Sequence, residues 1–283
     1  MRSLRNSNNM RELVTAVSKE LAIARNEAEL VIAALMNRPR FELYMSDKID
    51  EEEKNQLWSK VTQLRQGKPI EYVTQRVQFR NFTLKINPGV FIPRLETEYF
   101  VELIPKTLSL APGRILEIGT GCGAISIALA HLFPRAEIVA TDISSAALRN
   151  AWENITHEGL TSRISILQCD LFEGLVGEFD LIVSNPPYVP SGRMHELPRS
   201  VREFEPLSAI DGGEEGVDFI TRMILGARDY LAQSGVLAVE IDEESVNTLK
   251  KFLLDNRVGS FRFCRDLFNI HRYLFTGAIN EEG

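Results

Sequence analysis

Ser184-Asn185-Pro186-Pro187-Tyr188 closes the apolar run Phe179-Asp180-Leu181-Ile182-Val183, and its residue types suit one kind of chemistry. Neither proline can donate a backbone N–H, and each restrains the residue before it, so the pair stops a strand and stiffens the turn. Asn185 then offers a side-chain amide, Pro186 a carbonyl and Tyr188 an aromatic ring at fixed offsets. Two acceptors and a ring face fit a planar NH2 group. With Asn185 and the Pro186 carbonyl each accepting one N–H, the nitrogen is oriented and made richer in electrons. That has a use only where the nitrogen attacks an electrophile; otherwise Asn-Pro is an ordinary turn opener.

An electrophile site lies upstream. Glu117-Ile118-Gly119-Thr120-Gly121-Cys122-Gly123 follows an apolar strand and precedes a helix, and its glycines permit a tight turn and close approach to a ligand. No Gly-Lys-Ser/Thr follows, so it is not a P-loop, and its third glycine comes one residue too early for the dinucleotide fingerprint. Glu117 would repel a pyrophosphate and favour a cofactor with cationic groups; S-adenosyl-L-methionine carries an ammonium and a sulfonium. Asp142 ends the next strand, and an acid there either accepts from both ribose hydroxyls or caps the helix that Ser144 and Ser145 open. Asp170 ends the third strand, where it either accepts from the adenine amino group, with Leu171 beside the ring, or serves a turn. The thiols of Cys122 and Cys169 read as bystanders. The reaction that fits is methyl transfer from the sulfonium to the nitrogen held by Asn185 and Pro186, with Tyr188 as a packing wall. It relies on orientation and electrostatics and requires neither histidine nor metal.

The elements that must position these residues alternate. Strands are expected at Ile115–Ile118, Glu137–Thr141, Ser165–Gln168, Leu181–Ser184, Val236–Ile241 and Arg272–Thr276. Helices are expected at Ile125–His131, Ala146–Glu158, Val217–Leu231 and Glu244–Leu254. This is the α/β pattern of a largely parallel sheet covered on both faces, with ligands at its carboxyl edge. The first 75 or so residues read as helices: Leu13, Val17 and Leu21 recur every fourth residue, Glu27 to Met36 starts from Asn26 as cap, and Asp50 with Glu53 caps a helix to Gln66. Tyr72-Val73, Val77 to Phe79, Phe82 to Ile86 and Val90 to Ile92 have strand composition, a hairpin linking two domains. Pro93 to Glu98 then opens a helix.

Bulk properties narrow the class. At 283 residues the chain suits a small domain plus a larger one. The longest largely apolar run, Ala124 to Ala130, falls short of the roughly 20 residues of a membrane span, and Met1 to Asn9 lacks a signal-peptide core. Three widely spaced cysteines read as reduced thiols and the four histidines show no ligand spacing, so a cytoplasmic protein is expected, without membrane partner. Residues 1–76 carry 13 Lys/Arg against 11 Asp/Glu and the remainder 19 against 28. An acidic catalytic part speaks against a nucleic-acid substrate.

Several stretches together resemble the HemK/PrmC-type peptide chain release factor glutamine methyltransferases: Gly67 to Tyr72, Phe91 to Glu98, the Gly119 loop, Asn185 to Tyr188, Glu205 to Ile210 with Gly212 to Gly216, and Asp266-Leu267 with Arg272. The resemblance covers nearly the whole chain. It implies a Rossmann-like class I methyltransferase domain (a mostly parallel seven-stranded sheet with helices on both faces) at 96–283. A helical docking domain at 1–75 and a β-hairpin linker at 76–95 would precede it. The implied activity is N5-methylation of the glutamine in the Gly-Gly-Gln motif of class 1 release factors 1 and 2, releasing S-adenosyl-L-homocysteine. By motif, Gly119, Thr120, Gly121, Cys122, Gly123, Asp142, Asp170, Leu171 and Asn185 would contact the cofactor, and Asn185, Pro186, Pro187 and Tyr188 the glutamine. A glutamine of a ribosomal protein, DNA adenine and RNA guanine are the alternative acceptors. Gln75 stands near a usual glycine, Leu95 at a usual proline, and Asp242 and Ser245 where glycine and glutamine are usual.

Overall fold

The computed structural model describes residues 9–45 and 48–280; the stretch Met1–Asn9 lies, apart from Asn9, outside them. The chain divides into two compact units, one ending at Arg76 and the other beginning at Val77. Among the described residues no helix is long and apolar enough to cross a membrane.

The first unit is built on α1 (Met10–Leu21), α2 (Arg25–Met36), α3 (Glu51–Arg65) and the single-turn α4 (Ile70–Thr74). Their apolar stripes meet in a core that includes Leu13, Val17, Ile32, Leu35, Leu57 and Val61. Asp50 caps α3 as expected, its side chain accepting from Glu53 N at 2.8 Å. Asn26 does not cap α2. The helix begins two residues earlier than expected, at Arg25, because the Glu27 carboxylate reaches back to accept from Ala24 N at 3.0 Å. Tyr72 and Val73, expected in a strand, are helical and buried in α4. Pro69 sets the turn's entry and the Thr74 hydroxyl donates to Ile70 O at 2.8 Å. Gln75 ends the turn at φ 56°, the left-handed geometry for which glycine is the usual residue.

The second unit starts from a hairpin, β1 (Arg76–Phe79) and β2 (Phe82–Lys85). Its exit is stapled to the helix Ser145–His157: Asn154 and Asn150 accept from Lys85 N and Asn87 N at 2.8 and 2.7 Å, and both amides donate to Lys85 O. Val90 to Ile92 form no strand, since the Ile92 N–H is taken by Glu205 at 3.2 Å. After α5 (Leu95–Thr107) come β3 (Arg114–Ile118), α6 (Ala124–Leu132), β4 (Glu137–Asp142), α7 (Ser145–His157) and β5 (Ile164–Gln168). The chain then crosses back to β6 (Phe179–Ser184), α8 (Arg199–Phe204), α9 (Asp218–Ala227), β7 (Leu231–Glu240), α10 (Val246–Asp255), β8 (Phe261–Arg265) and β9 (His271–Gly277).

The seven-stranded sheet has the order β5-β4-β3-β6-β7-β9-β8, with only β9 antiparallel to its neighbours. Strands run outward from β3 in one direction and from β6 in the other, so right-handed crossovers put helices on opposite faces. The switch point lies between the carboxyl ends of β3 and β6, where such sheets take their ligands. Register makes this concrete. Thr141, Ile118, Ser184 and Val239 are successive partners across four strands, so Asp142, Gly119, Asn185 and Glu240 leave the sheet at one height. The helix expected over Val217–Leu231 is shorter, because the chain turns after Ala227 and Leu231 already belongs to β7.

Candidate active site

Glu117 is the buried end of β3, 1 % exposed. Its Oε2 accepts from Thr120 Oγ1 at 2.7 Å, from Ser126 N at 3.0 Å and from the Ser126 hydroxyl, while Oε1 has no hydrogen-bond partner among the described residues. Burial pushes this carboxyl up to about 7, against the hydrogen bonds that favour the anion. The backbone then turns through Gly119 and Gly121 at φ 75° and 57°, where a side chain would meet nothing within 4 Å. These two positions need glycine for their backbone, and they face open space. That space is a cavity of about 250 Å³ lined by Glu117, Gly119 to Cys122, Asp142, Asp170, Leu171 and Asn185 to Pro187.

Asp142 stands on the same wall, accepting from Gly121 N and Ser144 N at 2.9 Å each. Burial raises its pKa above the ordinary carboxylate value, opposed by these backbone donors. Helix α7 is capped by Ser144, whose hydroxyl accepts from Ala147 N at 3.3 Å, so the alternative role of Asp142 as helix cap is not realised. Asp170 lies two residues beyond β5 and pairs with Arg222 at 2.8 Å. Leu171 follows at φ 51°. Gly123 is not among the residues that line the cavity, and a Cβ there would come within 3.3 Å of Ala151. Its task is to let the glycine loop pack on α7. Cys122 is buried, with its thiol pushed up to about 12 by desolvation, and its carbonyl accepts from Asn154.

The turn after β6 closes the cavity's far side. Asn185 Nδ2 donates to Thr97 Oγ1 at 3.0 Å, Thr97 Oγ1 donates to Glu240 Oε2 at 2.9 Å, and the Tyr188 hydroxyl donates to Glu240 Oε1 at 3.3 Å. Thr97 and Glu240 are both buried. Burial holds the Tyr188 phenol protonated, helped by the nearby Glu240 charge. Tyr188 lines a second cavity, of about 410 Å³, together with Phe91, Arg94, Val201 and Ile210. Asn185 and Pro186 belong to the walls of both cavities.

The motifs flanking this turn are joined physically. Glu205 accepts from Ile92 N and pairs with Arg94, tying Phe91–Arg94 to the segment that starts at Pro206. At Gly212 and Gly216, Cβ atoms would fall 2.7 Å from Tyr188 Cα and 2.3 Å from Tyr188 O, so only glycine lets that loop brace the tyrosine turn. Sequence reasoning missed Thr97 and Glu240 as members of the site. Thr97 had a signal, lying inside the Pro93–Glu98 motif. It also missed Phe219 and Met223, which reach the first cavity from one face of α9.

Residues 12–74 match the family profile described as PrmC N-terminal domain, and residues 81–197 that of the methyltransferase small domain. A release factor glutamine methyltransferase of Moorella thermoacetica is 37% identical over 242 residues, covering 84% of either chain. One of Gloeobacter violaceus is 37% identical over 78% of either chain. Among solved structures, a Pyrococcus furiosus methyltransferase aligns with a TM-score of 0.53 at 20% identity, over 69% of this chain and 88% of that one. A T. thermophilus 16S rRNA methyltransferase solved with AdoMet and guanosine aligns with 0.53 at 19%, over 71% and 49%. These likenesses show the fold, the class I methyltransferase sheet. With relatives this similar over most of its length, the chain belongs to the release factor glutamine methyltransferase family.

Proposed function

We propose that this protein methylates the side-chain amide nitrogen (N5) of the glutamine in the Gly-Gly-Gln motif of class 1 release factors 1 and 2, in the cytoplasm, using S-adenosyl-L-methionine. The observation that carries the reading is the double membership of Asn185 and Pro186. One cavity suits a cationic nucleoside, the other opens beside Tyr188, and these two residues stand where they meet. The residues present fit the cofactor: a buried carboxylate oxygen of Glu117 lacks a partner, and the cavity beside Gly119 and Gly121 is open. Glu117 would face its cationic end, Asp142 the ribose, and Asp170 with Leu171 the adenine. Gly119 to Cys122 supply the backbone cradle.

When bound, the cofactor supplies an electrophilic methyl on a sulfonium and leaves as S-adenosyl-L-homocysteine. The protein's own part is to hold the acceptor. Asn185 Oδ1 and the Pro186 carbonyl each accept one N–H of the glutamine amide, which orients the nitrogen lone pair toward the first cavity. Pro187 stiffens the turn and the Tyr188 ring walls the carboxamide plane. With the methyl so supplied, the held nitrogen would gain an N–CH3 bond in place of the cofactor's S–CH3 bond, and the amide proton released would pass to water. Preorganised acceptors of this kind contribute about a hundredfold or more in rate. Residues 1–75 form the docking domain for the factor, 76–95 the linker and 96–283 the catalytic domain; exposed Phe41 and Met45 support a docking role for the first.

The test is mass spectrometry of purified release factor after incubation with the protein and labelled S-adenosyl-L-methionine. One methyl on the Gly-Gly-Gln glutamine is expected. An unmodified factor, with label instead on a ribosomal protein, DNA or ribosomal RNA, would overturn the reading.

A further inference from the structure

Glu240 is a fully buried carboxylate to which the transfer step above assigns no task. Its two oxygens are met by hydroxyls, Thr97 at Oε2 and Tyr188 at Oε1. Thr97 also receives Asn185 Nδ2. A threonine hydroxyl has a single hydrogen, and an ionised carboxylate can only accept. With that hydrogen directed to Glu240, the Thr97 oxygen has only lone pairs left for Asn185. Only the NH2 end of the Asn185 amide can meet a lone pair, so Oδ1 must point the other way. A protonated Glu240 could donate to Thr97 instead, which would free the threonine hydrogen for Asn185 Oδ1. The amide could then turn over and present N–H groups to the acceptor's N–H groups.

We propose that Glu240, acting through Thr97, is a positioning residue that decides which end of the Asn185 amide faces the acceptor nitrogen. This rests on the reading of Asn185 given under the proposed function. The charged and titratable groups around Glu240 are few and come from three elements. Glu96 stands beside Thr97 on α5, Tyr188 comes from the turn after β6, and Arg272 and Tyr273 come from β9. Burial pushes Glu240 up to about 7, the Thr97 hydrogen bond and the Arg272 charge pull it down, and Glu96 opposes them. Arg272 is itself anchored by Asp266 at 3.0 Å, an acid that also receives Phe268 N and Ile270 N. The Asp266 and Arg272 pairing thus acts on the site through the charge state of Glu240.

The test uses the full chain. Thr97→Val, which keeps the shape and removes the hydroxyl, lowers kcat by about tenfold or more through misorientation of one acceptor. Thr97 also lines the first cavity, so the variant's cofactor Kd shifts, but by less than kcat falls. Thr97→Ser restores most of the loss. Wild-type kcat falls as pH drops through about 7, and Glu240→Gln starts from a lower plateau without that acid limb. A readout independent of turnover is the pair of side-chain amide proton resonances of Asn185, assigned by their loss in Asn185→Ala. They move with pH over the same range in the wild type and stay fixed in Glu240→Gln. A Thr97→Val kcat within about twofold of wild type would overturn the proposal. So would equal losses in kcat and Kd that Thr97→Ser fails to repair, or Asn185 resonances indifferent to pH. Should the wild type transfer no methyl to the release factor, the proposed function falls, and the resonances still decide the orientation.

Discussion

Two buried carboxylates lie at the same edge of the sheet, on β3 and β7 with β6 between them, and they are provided for in opposite ways. Glu117, near the end of β3, has one oxygen engaged by three donors, Thr120 of its own loop and the N–H and hydroxyl of Ser126 on α6, and the other without a partner among the described residues beside a cavity. Glu240, at the end of β7, has each oxygen taken by a hydroxyl that belongs to the acceptor turn or its support. Burial drives both up to about 7. A buried acceptor without a donor costs free energy unless something supplies one, so under the proposed function Glu117 would meet a cation from outside the chain. Glu240 is matched to groups inside it, and its consequence is order among those groups. On that proposal, degree of satisfaction, more than burial or acidity, separates a binding carboxylate from a positioning one.

The sharpest way to break this comparison is at Asn185, one of the residues both cavities share. Asn185→Ala should lower turnover by about a hundredfold or more while cofactor affinity changes little; steady-state kinetics beside a cofactor titration measures both. On the cofactor side alone, Asp142→Ala should weaken cofactor binding by roughly tenfold, the scale of a lost charge-assisted hydrogen bond, with kcat at saturation nearly kept. A calorimetric titration checks the affinity. Stability against pH tests the carboxylates together. Both groups have folded-state values above the ordinary carboxylate range, so the folded chain favours their protonated forms. Their contribution is fully present below about 4.5 and lost as pH rises through about 7. The urea midpoint, measured without cofactor, should therefore fall between pH 5 and pH 8, and fall less in Glu240→Gln. The smallest effect is a control in the other compact unit. Gln75→Gly relieves a left-handed residue and should raise stability by about 1 kcal/mol, seen as a higher melting temperature.

How much of this the chain disclosed by itself depended on distance along it. Strand–helix alternation and the glycine loop are local patterns, so the sheet, the switch point and the residues from Glu117 to Asp142 were legible. The edge strand β8 was not: Phe261-Arg262-Phe263-Cys264-Arg265 is half-buried and mixes charge with aromatics, so it carries no clean apolar run. Pro69 and the Thr74 hydroxyl likewise turned Tyr72 and Val73 into helix against their composition. The contact between Thr97 and Glu240 spans 143 residues and has no local signature at all. Only the register that sets Ser184 beside Val239 brings Glu240 to the turn.

The direct test of the division between the two carboxylates is a paired measurement on Glu117→Gln and Glu240→Gln: cofactor Kd, and single-turnover methylation of release factor at saturating cofactor. The expected result is a crossed pattern. Glu117→Gln weakens cofactor binding by about tenfold or more and leaves the saturated rate near wild type, whereas Glu240→Gln slows the saturated rate and leaves the Kd alone. Parallel losses in both quantities for both variants would contradict the account.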